Sequence, residues 1–163
     1  AQRLVMSREL LVVWAGRHRR DHWDGLCDRY RERISRFVNL TEVPVRSRGN
    51  PPAEHRRRAE GEAVIAAVPQ DAWTVALDRQ GKQRSSREIA VWLEKLLDEW
   101  PHPLAFLVGS DLGLDQAVRD GAREQLSLGR LTLPHELAKL VLYEQIYRAF
   151  CITAGIKYHR GPL

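Results

Sequence analysis

Pro103-Leu104-Ala105-Phe106-Leu107-Val108-Gly109-Ser110-Asp111-Leu112-Gly113 sets a short apolar run directly against a glycine-bounded polar turn. The run shows no alternation of apolar and polar residues, which suits a strand buried on both faces. Gly109 and Gly113 would let a ligand come close to the backbone. The turn fits neither GxGxxG nor the GxxxxGK[ST] phosphate loop, whose Lys is missing, so a dinucleotide or nucleoside triphosphate site of those types is disfavoured. A tight strand-to-helix turn accounts for the same residues, and the motif alone leaves both readings open.

Outward from this point, strand and helix signals alternate. Strands are expected at Glu9–Gly16, Leu40–Val45, Ala72–Leu77, Pro103–Val108 and near Leu126–Leu133. Helices are expected at Asp21–Phe37, Ala53–Val68, from Ser85 or Ser86 to about Trp100, near Asp115–Arg123, and from Pro134 to about Ala154. Arg46–Pro52 and Asp78–Gln83 read as loops, the first because prolines remove backbone donors. The pattern predicts an α/β domain with a mostly parallel sheet covered on both faces. Such sheets take ligands at the carboxyl ends of their strands. That rule selects three loops: Leu77–Gly81, Gly109–Gly113 and Leu126–Leu133.

The chain of 163 residues carries 26 Lys and Arg against 21 Asp and Glu, six His and two Cys. This length predicts one domain, able to bury roughly 68–70% of its unfolded surface. Cys27 and Cys151 have neither CxxC nor Cys/His spacing, which argues against a disulfide framework or a structural zinc site. The apolar run Leu10–Gly16 is too short to cross a membrane and lacks a secretory cleavage pattern. A soluble, cytoplasmic protein is expected. Residues 1–60 hold 14 Lys and Arg against 8 Asp and Glu, while residues 61–163 hold 12 against 13. An excess confined to one part of the chain, including Arg17, Arg19 and Arg20, suits a face turned to a polyanion.

His18 and His22 are four apart, but Arg19 stands where a metalloprotease helix needs Glu, so no metal site is expected. His135 could cap, bind or pack. The last expected helix is apolar nearly all round, through Leu137, Leu140, Val141, Tyr143, Ile146, Tyr147, Phe150, Cys151 and Ile152. Such a helix is buried in its own core or shared with a second chain. Glu144 and Arg148 have the spacing of a surface pair.

With Leu131-Thr132-Leu133-Pro134-His135-Glu136-Leu137, Glu144-Gln145-Ile146-Tyr147-Arg148-Ala149-Phe150 and Tyr158-His159-Arg160, the chain resembles a known family. This is the small ribosomal RNA large-subunit pseudouridine N3-methyltransferases, single-domain members of the SPOUT class. Glu42-Val43-Pro44, Glu60-Gly61, Leu77-Asp78, Gly81-Lys82, Ser85-Ser86 and Gly109–Leu114 extend the resemblance over nearly the whole chain. The C-terminal third is its specific part. It implies one domain over residues 1–163, with a C-terminal trefoil knot and the cofactor loops over about 72–163. It also implies a homodimer that methylates large-subunit RNA with S-adenosylmethionine. Matching positions imply cofactor contacts at Leu77, Gly109, Leu128, Gly129, Arg130, Leu131, Thr132 and Leu133, from the same three loops that the strand-end rule selects. The chain departs from the family at Ser110, where a second glycine is common. Its backbone amide stays available, but its Cβ narrows any route needing positive φ.

Methyl transfer to a pseudouridine N3 requires loss of a proton, by a base in reach or by groups that stabilise the developing anion. His159 is the expected base and His135 its rival. Arg148 is a candidate anion partner, Arg160 a phosphate contact and Tyr158 a stacking surface for the target base. If the tail of one subunit reaches the cofactor pocket of the other, each site is composite. Two alternatives stand beside this reading. One is a SPOUT enzyme acting on another RNA such as a transfer RNA, which would usually add an RNA-binding extension. The other is a non-catalytic ribosome-binding protein of the same fold, which would fail to bind S-adenosylmethionine.

Overall fold

The central sheet is built on the apolar or β-branched runs at residues 10–15, 73–77 and 104–108, and the segments at its carboxyl edge form the site. The computed structural model describes residues 8–16, 20–47, 49 and 51–158. The strands are β1 (Glu9–Ala15), β2 (Asn39–Val45), β3 (Trp73–Gln83), β4 (Leu104–Val108) and β5 (Glu124–Ser127). They pair in parallel throughout, in the spatial order β2-β1-β4-β3-β5. The helices among the described residues are α1 (His22–Ile34), α2 (Ala53–Ala67), α3 (Ser86–Glu99), α4 (Gln116–Gly121) and α5 (His135–Ala154).

Two cores follow from the pleat of β1, whose successive side chains point to opposite faces. Leu10, Val12 and Trp14 join Phe106 and Val108 of β4 under α1, α3 and α5. Leu11, Val13 and Ala15 join Ala105 and Leu107 under α2 and α4. The expected α/β sheet covered on both faces is the observed one. β2 is an edge strand, which is why it tolerates Pro44 in its ladder.

Helix ends follow their capping chemistry. Asp21 accepts a hydrogen bond from the backbone N–H of Asp24 at 3.0 Å and starts α1. Ser85 and Glu88 form a reciprocal capping box at α3, at 3.1 and 3.0 Å. Gly155, at φ +71°, closes α5 in the left-handed conformation that favours glycine. Beside α1, Arg31 bonds Asp24, Asp28 and Glu42, each at 2.7 Å, and the buried Lys139 of α5 pairs with the same Glu42.

Two expectations are corrected. The polar stretch Asp78–Gln83 is not a free loop, because β3 continues through it to Gln83. β5 meets β3 at Leu77 and again at Lys82, with a register shift between them. Gly81 makes that second meeting possible, since a Cβ there would stand 2.7 Å from the backbone carbon of Gln125. Conversely, β5 ends at Ser127, and Leu128–Leu133 is loop. The wide apolar surface of α5 is divided. Leu142, Tyr143, Ile146, Phe150 and Cys151 are buried in the core, whereas Leu137, Leu140 and Val141 stay half-exposed.

Candidate active site

The part of β3 that follows Leu77 and the loops that follow Val108 and Ser127 enclose a cavity of about 780 Å³. This volume lies within the roughly 300–1,000 Å³ of small-molecule sites. After β4, the chain turns back sharply: the N–H of Gly113 donates to the carbonyl of Ser110 at 2.9 Å, and Gly113 has φ +76°. The return stroke runs so close to Gly109 that a Cβ there would meet the Gly113 carbonyl carbon at 2.5 Å. Glycine at 109 is therefore a requirement of this loop. After β5, the Ser127 hydroxyl accepts from the Gly129 N–H at 3.1 Å, with Gly129 at φ +131°. Arg79 then holds the far side of the loop by donating to Thr132 Oγ1 at 2.6 Å.

Ser110 fits this loop without positive φ, which no non-glycine among the described residues adopts. Its hydroxyl is buried and donates to Glu60 Oε2 of α2 at 2.7 Å. The second-glycine position thus carries a brace between the loop and α2. Neighbouring Asp111 receives two bonds from Arg56, at 3.0 and 2.9 Å. Burial pushes the Asp111 carboxyl upward, but the hydrogen bonds and charge of Arg56 outweigh it and leave it below its ordinary range.

Of the eight expected cofactor residues, Leu77, Gly109, Leu128, Gly129, Leu131, Thr132 and Leu133 line the cavity, and the exposed Arg130 does not. Leu131 is 77% exposed, an apolar side chain at the cavity mouth. The leucines offer an apolar surface for a flat ring system, and the two glycine turns bring backbone close to it. That combination fits S-adenosylmethionine, whose adenine needs an apolar slot and whose polar ends need backbone partners. Asp78, Arg79 and Gln80 line the wall from within the selected Leu77–Gly81 stretch, whereas Arg57 and Arg119 escaped the sequence reading. Asp78 and Arg79 follow an apolar strand end, which is a usable signal. Arg57 and Arg119 lie on helices with no signal to mark them. His135 lines the cavity too, with Nε2 3.3 Å from Glu136 Oε1.

The expected tail residues gather elsewhere. Arg148 donates to Glu144 Oε1 from Nε and Nη2, at 2.9 and 2.6 Å. Tyr158 donates to the same oxygen at 3.3 Å and lies under the Arg148 guanidinium. Its ring packs edge-on against Tyr147, centroids 4.8 Å apart. Burial, the hydrogen bond with Tyr30 and the nearby Glu144 charge push the Tyr158 phenol far up, keeping it protonated. Neither Arg148 nor Tyr158 lines the cavity. At 1.5 Å per residue, Arg148 sits about 20 Å along α5 from His135. His159, Arg160, Arg17 and Arg19 lie outside the described residues, and Arg20 is exposed ahead of α1.

A parallel α/β sheet with a backbone-rich cavity at its carboxyl edge suits a transferase that binds an adenosine-bearing donor. The family described as "Predicted SPOUT methyltransferase" matches residues 8–159, and the chain belongs to that family. Among its relatives, the ribosomal RNA large subunit methyltransferase H of Solidesulfovibrio magneticus is 37% identical over 152 residues, covering 93% of this chain and 99% of the relative. The protein of the same name from Listeria monocytogenes is 41% identical over 137 residues, 80% of this chain and 86% of the relative. A probable methylase family protein from Haemophilus influenzae shares the fold, with TM-score 0.55 and 12% identity, over 97% of this chain and 73% of its own. The chain is thus a methyltransferase by family. No helix among the described residues is long and apolar enough to cross a membrane, and none of their His, Cys, Asp and Glu form a group of three suited to a metal.

Proposed function

We propose that this protein methylates N3 of a pseudouridine in large-subunit ribosomal RNA, using S-adenosylmethionine and working as a cytoplasmic homodimer. The observation that carries the reading is the coincidence of seven family-matched cofactor positions with the wall of one 780 Å³ cavity. The relatives' activity as ribosomal RNA large subunit methyltransferases suggests the RNA class. The segment from about 72 to 163 carries the cofactor loops and the knot in this reading, within one domain over 1–163.

When bound, S-adenosylmethionine supplies an electrophilic methyl on a sulfonium, which leaves as a neutral thioether. Leu77, Gly109, Leu128, Gly129, Leu131, Thr132 and Leu133 would hold and orient it, so positioning provides much of the rate. The chain must also accept the N3 proton. In this reading His159 takes that proton, with Arg148 and Arg160 stabilising the developing anion or a phosphate and Tyr158 stacking on the base. The 20 Å between Arg148 and the cavity's His135 supports a composite site, in which one subunit's tail serves the other's cavity. The half-exposed Leu137, Leu140 and Val141 of α5 then find cover against the second copy. Arg17, Arg19 and Arg20 belong to the RNA footprint.

His135 keeps a claim as the base, because it lines the cavity of its own subunit. Two variants separate the candidates: His159→Ala should reduce kcat at least 100-fold and His135→Ala far less, whereas the reverse order would assign the proton to His135. For the function as a whole, large subunits from a strain lacking the enzyme should take up labelled methyl at one pseudouridine. No label despite cofactor binding would move the substrate to another RNA, and no cofactor binding would leave a fold without its chemistry.

A further inference from the structure

The turn after β4 stands between two cavities. The 780 Å³ cavity lies on one side and a second, of about 330 Å³, on the other, and Gly109, Ser110 and Asp111 line both. The turn's own bonds set its shape. The Gly113 N–H donates to the Ser110 carbonyl at 2.9 Å, and the Leu112 N–H donates to the Ser110 hydroxyl oxygen at 3.2 Å. Neither bond fixes where the turn sits relative to the sheet. With a cavity on each side, that position depends on contacts to a neighbouring element.

Helix α2 makes those contacts, from two residues four apart on one face. The Ser110 hydroxyl donates to Glu60 Oε2 at 2.7 Å, and both side chains are buried. One helical turn earlier, Arg56 Nη2 donates to both carboxylate oxygens of the exposed Asp111, at 3.0 and 2.9 Å. The same guanidinium lies 3.7 Å from the Glu60 carboxylate. α2 is itself firmly seated. Val64 is fully buried in the core on this side of the sheet, and Gly61 lets the helix close on α4, since a Cβ there would stand 2.8 Å from the Asp115 Cβ. The helix that grips the turn thus also grips the segment into which the turn leads.

Arg56 and Glu60 line the smaller cavity and are absent from the wall of the larger one. They stand behind the turn and can act on a cofactor only through it. We propose that Arg56 and Glu60 are positioning residues for S-adenosylmethionine, forming a double latch that fixes the Gly109–Asp111 wall of its cavity. The proposal rests on the transferase reading above. The buried Ser110–Glu60 bond is charge-assisted, whereas the Arg56–Asp111 pair is more exposed and gains less. A glycine at position 110 has no hydroxyl to give, so the stronger latch belongs to the residue by which this chain departs from its family.

Two latches on one turn have a recognisable signature. Either alone keeps the binding conformation dominant, so its partner can be lost with little effect on affinity. The apparent Kd scales inversely with the fraction of protein in the competent conformation, and that fraction falls only when both latches are gone.

The test titrates S-adenosylmethionine into full-length variants by calorimetry, each below its measured melting temperature. Ser110→Ala and Arg56→Ala should each weaken binding less than about threefold, and the two together at least about tenfold. In the Arg56→Ala background, Glu60→Ala should reproduce that loss, while Glu60→Gln, which keeps an acceptor for Ser110, should not. Ser85→Ala removes the cap of α3 instead. Joined to Ser110→Ala, it should lower the melting temperature and leave affinity at the Ser110→Ala value. Parent affinity in the Ser110→Ala/Arg56→Ala protein, a tenfold loss in either single variant, or an equal loss in the Ser85→Ala control would overturn the proposal. Failure of the parent protein to bind S-adenosylmethionine would instead overturn the transferase reading beneath it.

Discussion

Gly109 and Ser110 occupy adjacent positions with opposite demands. A Cβ at Gly109 would collide with backbone at 2.5 Å, which cannot give way as a flexible side chain would. Gly109→Ala should therefore lower S-adenosylmethionine affinity at least tenfold, read by calorimetry, and cost about 1–3 kcal/mol of stability as overpacking does. Unchanged affinity would show that the loop opens freely. Ser110→Ala removes a buried hydrogen bond to Glu60 and should cost about 1–2 kcal/mol in urea unfolding, with the cofactor still bound. Cys27 carries a pH signature. Burial raises its thiol from 9.0 to about 11, although Lys139 and Arg31 pull it down. The unfolded thiol ionises first, so the stability it contributes is complete below pH 9 and is lost as pH rises toward 11. Alkylation of the native protein at pH 8 should accordingly spare Cys27, and rapid modification there would contradict its burial.

At the scale of elements, most of what positions the site was legible. The strand end at Val108 and the start of α5 after Pro134 fall where apolar patterning and capping place them. Legibility failed at β3 and β5, and for one physical reason. Asp78–Gln83 looks like loop because its side chains are polar, yet its backbone stays in the sheet by pairing again with β5. Leu128, Leu131 and Leu133 look like strand because they are apolar, yet they face a cavity. Pattern reading assumes that apolar side chains face a core, and a ligand cavity breaks the assumption. No periodicity reports on Tyr158, which is held by Tyr30, Tyr147 and Glu144. Elsewhere, α1 depends on the Arg31 cluster. Arg31→Ala takes the guanidinium from the buried Asp24 carboxylate, while Glu42 keeps Lys139, and should cost about 3 kcal/mol in unfolding experiments, as breaking a buried ion pair does.

For the whole molecule, the proposal turns on a cavity at His135 and on Arg148, about 20 Å away along the same helix. The basic excess of residues 1–60 predicts RNA association that weakens about tenfold or more between 50 and 200 mM salt, by counterion release. Salt-independent binding would remove phosphate contacts from the footprint. The composite site gives the sharpest test, which is complementation between two inactive proteins. One carries Gly109→Ala with its tail intact, and the other ends after Lys157 with its cofactor loops intact. With S-adenosylmethionine held well below the weakened Kd of the Gly109→Ala protein, each alone should fail to transfer labelled methyl to large ribosomal subunits. Mixed and allowed to exchange subunits, they should recover activity, because a mixed dimer pairs one sound cavity with one sound tail. A mixture that exchanges subunits and stays inactive, or a truncated protein that is fully active alone, would contradict the shared site.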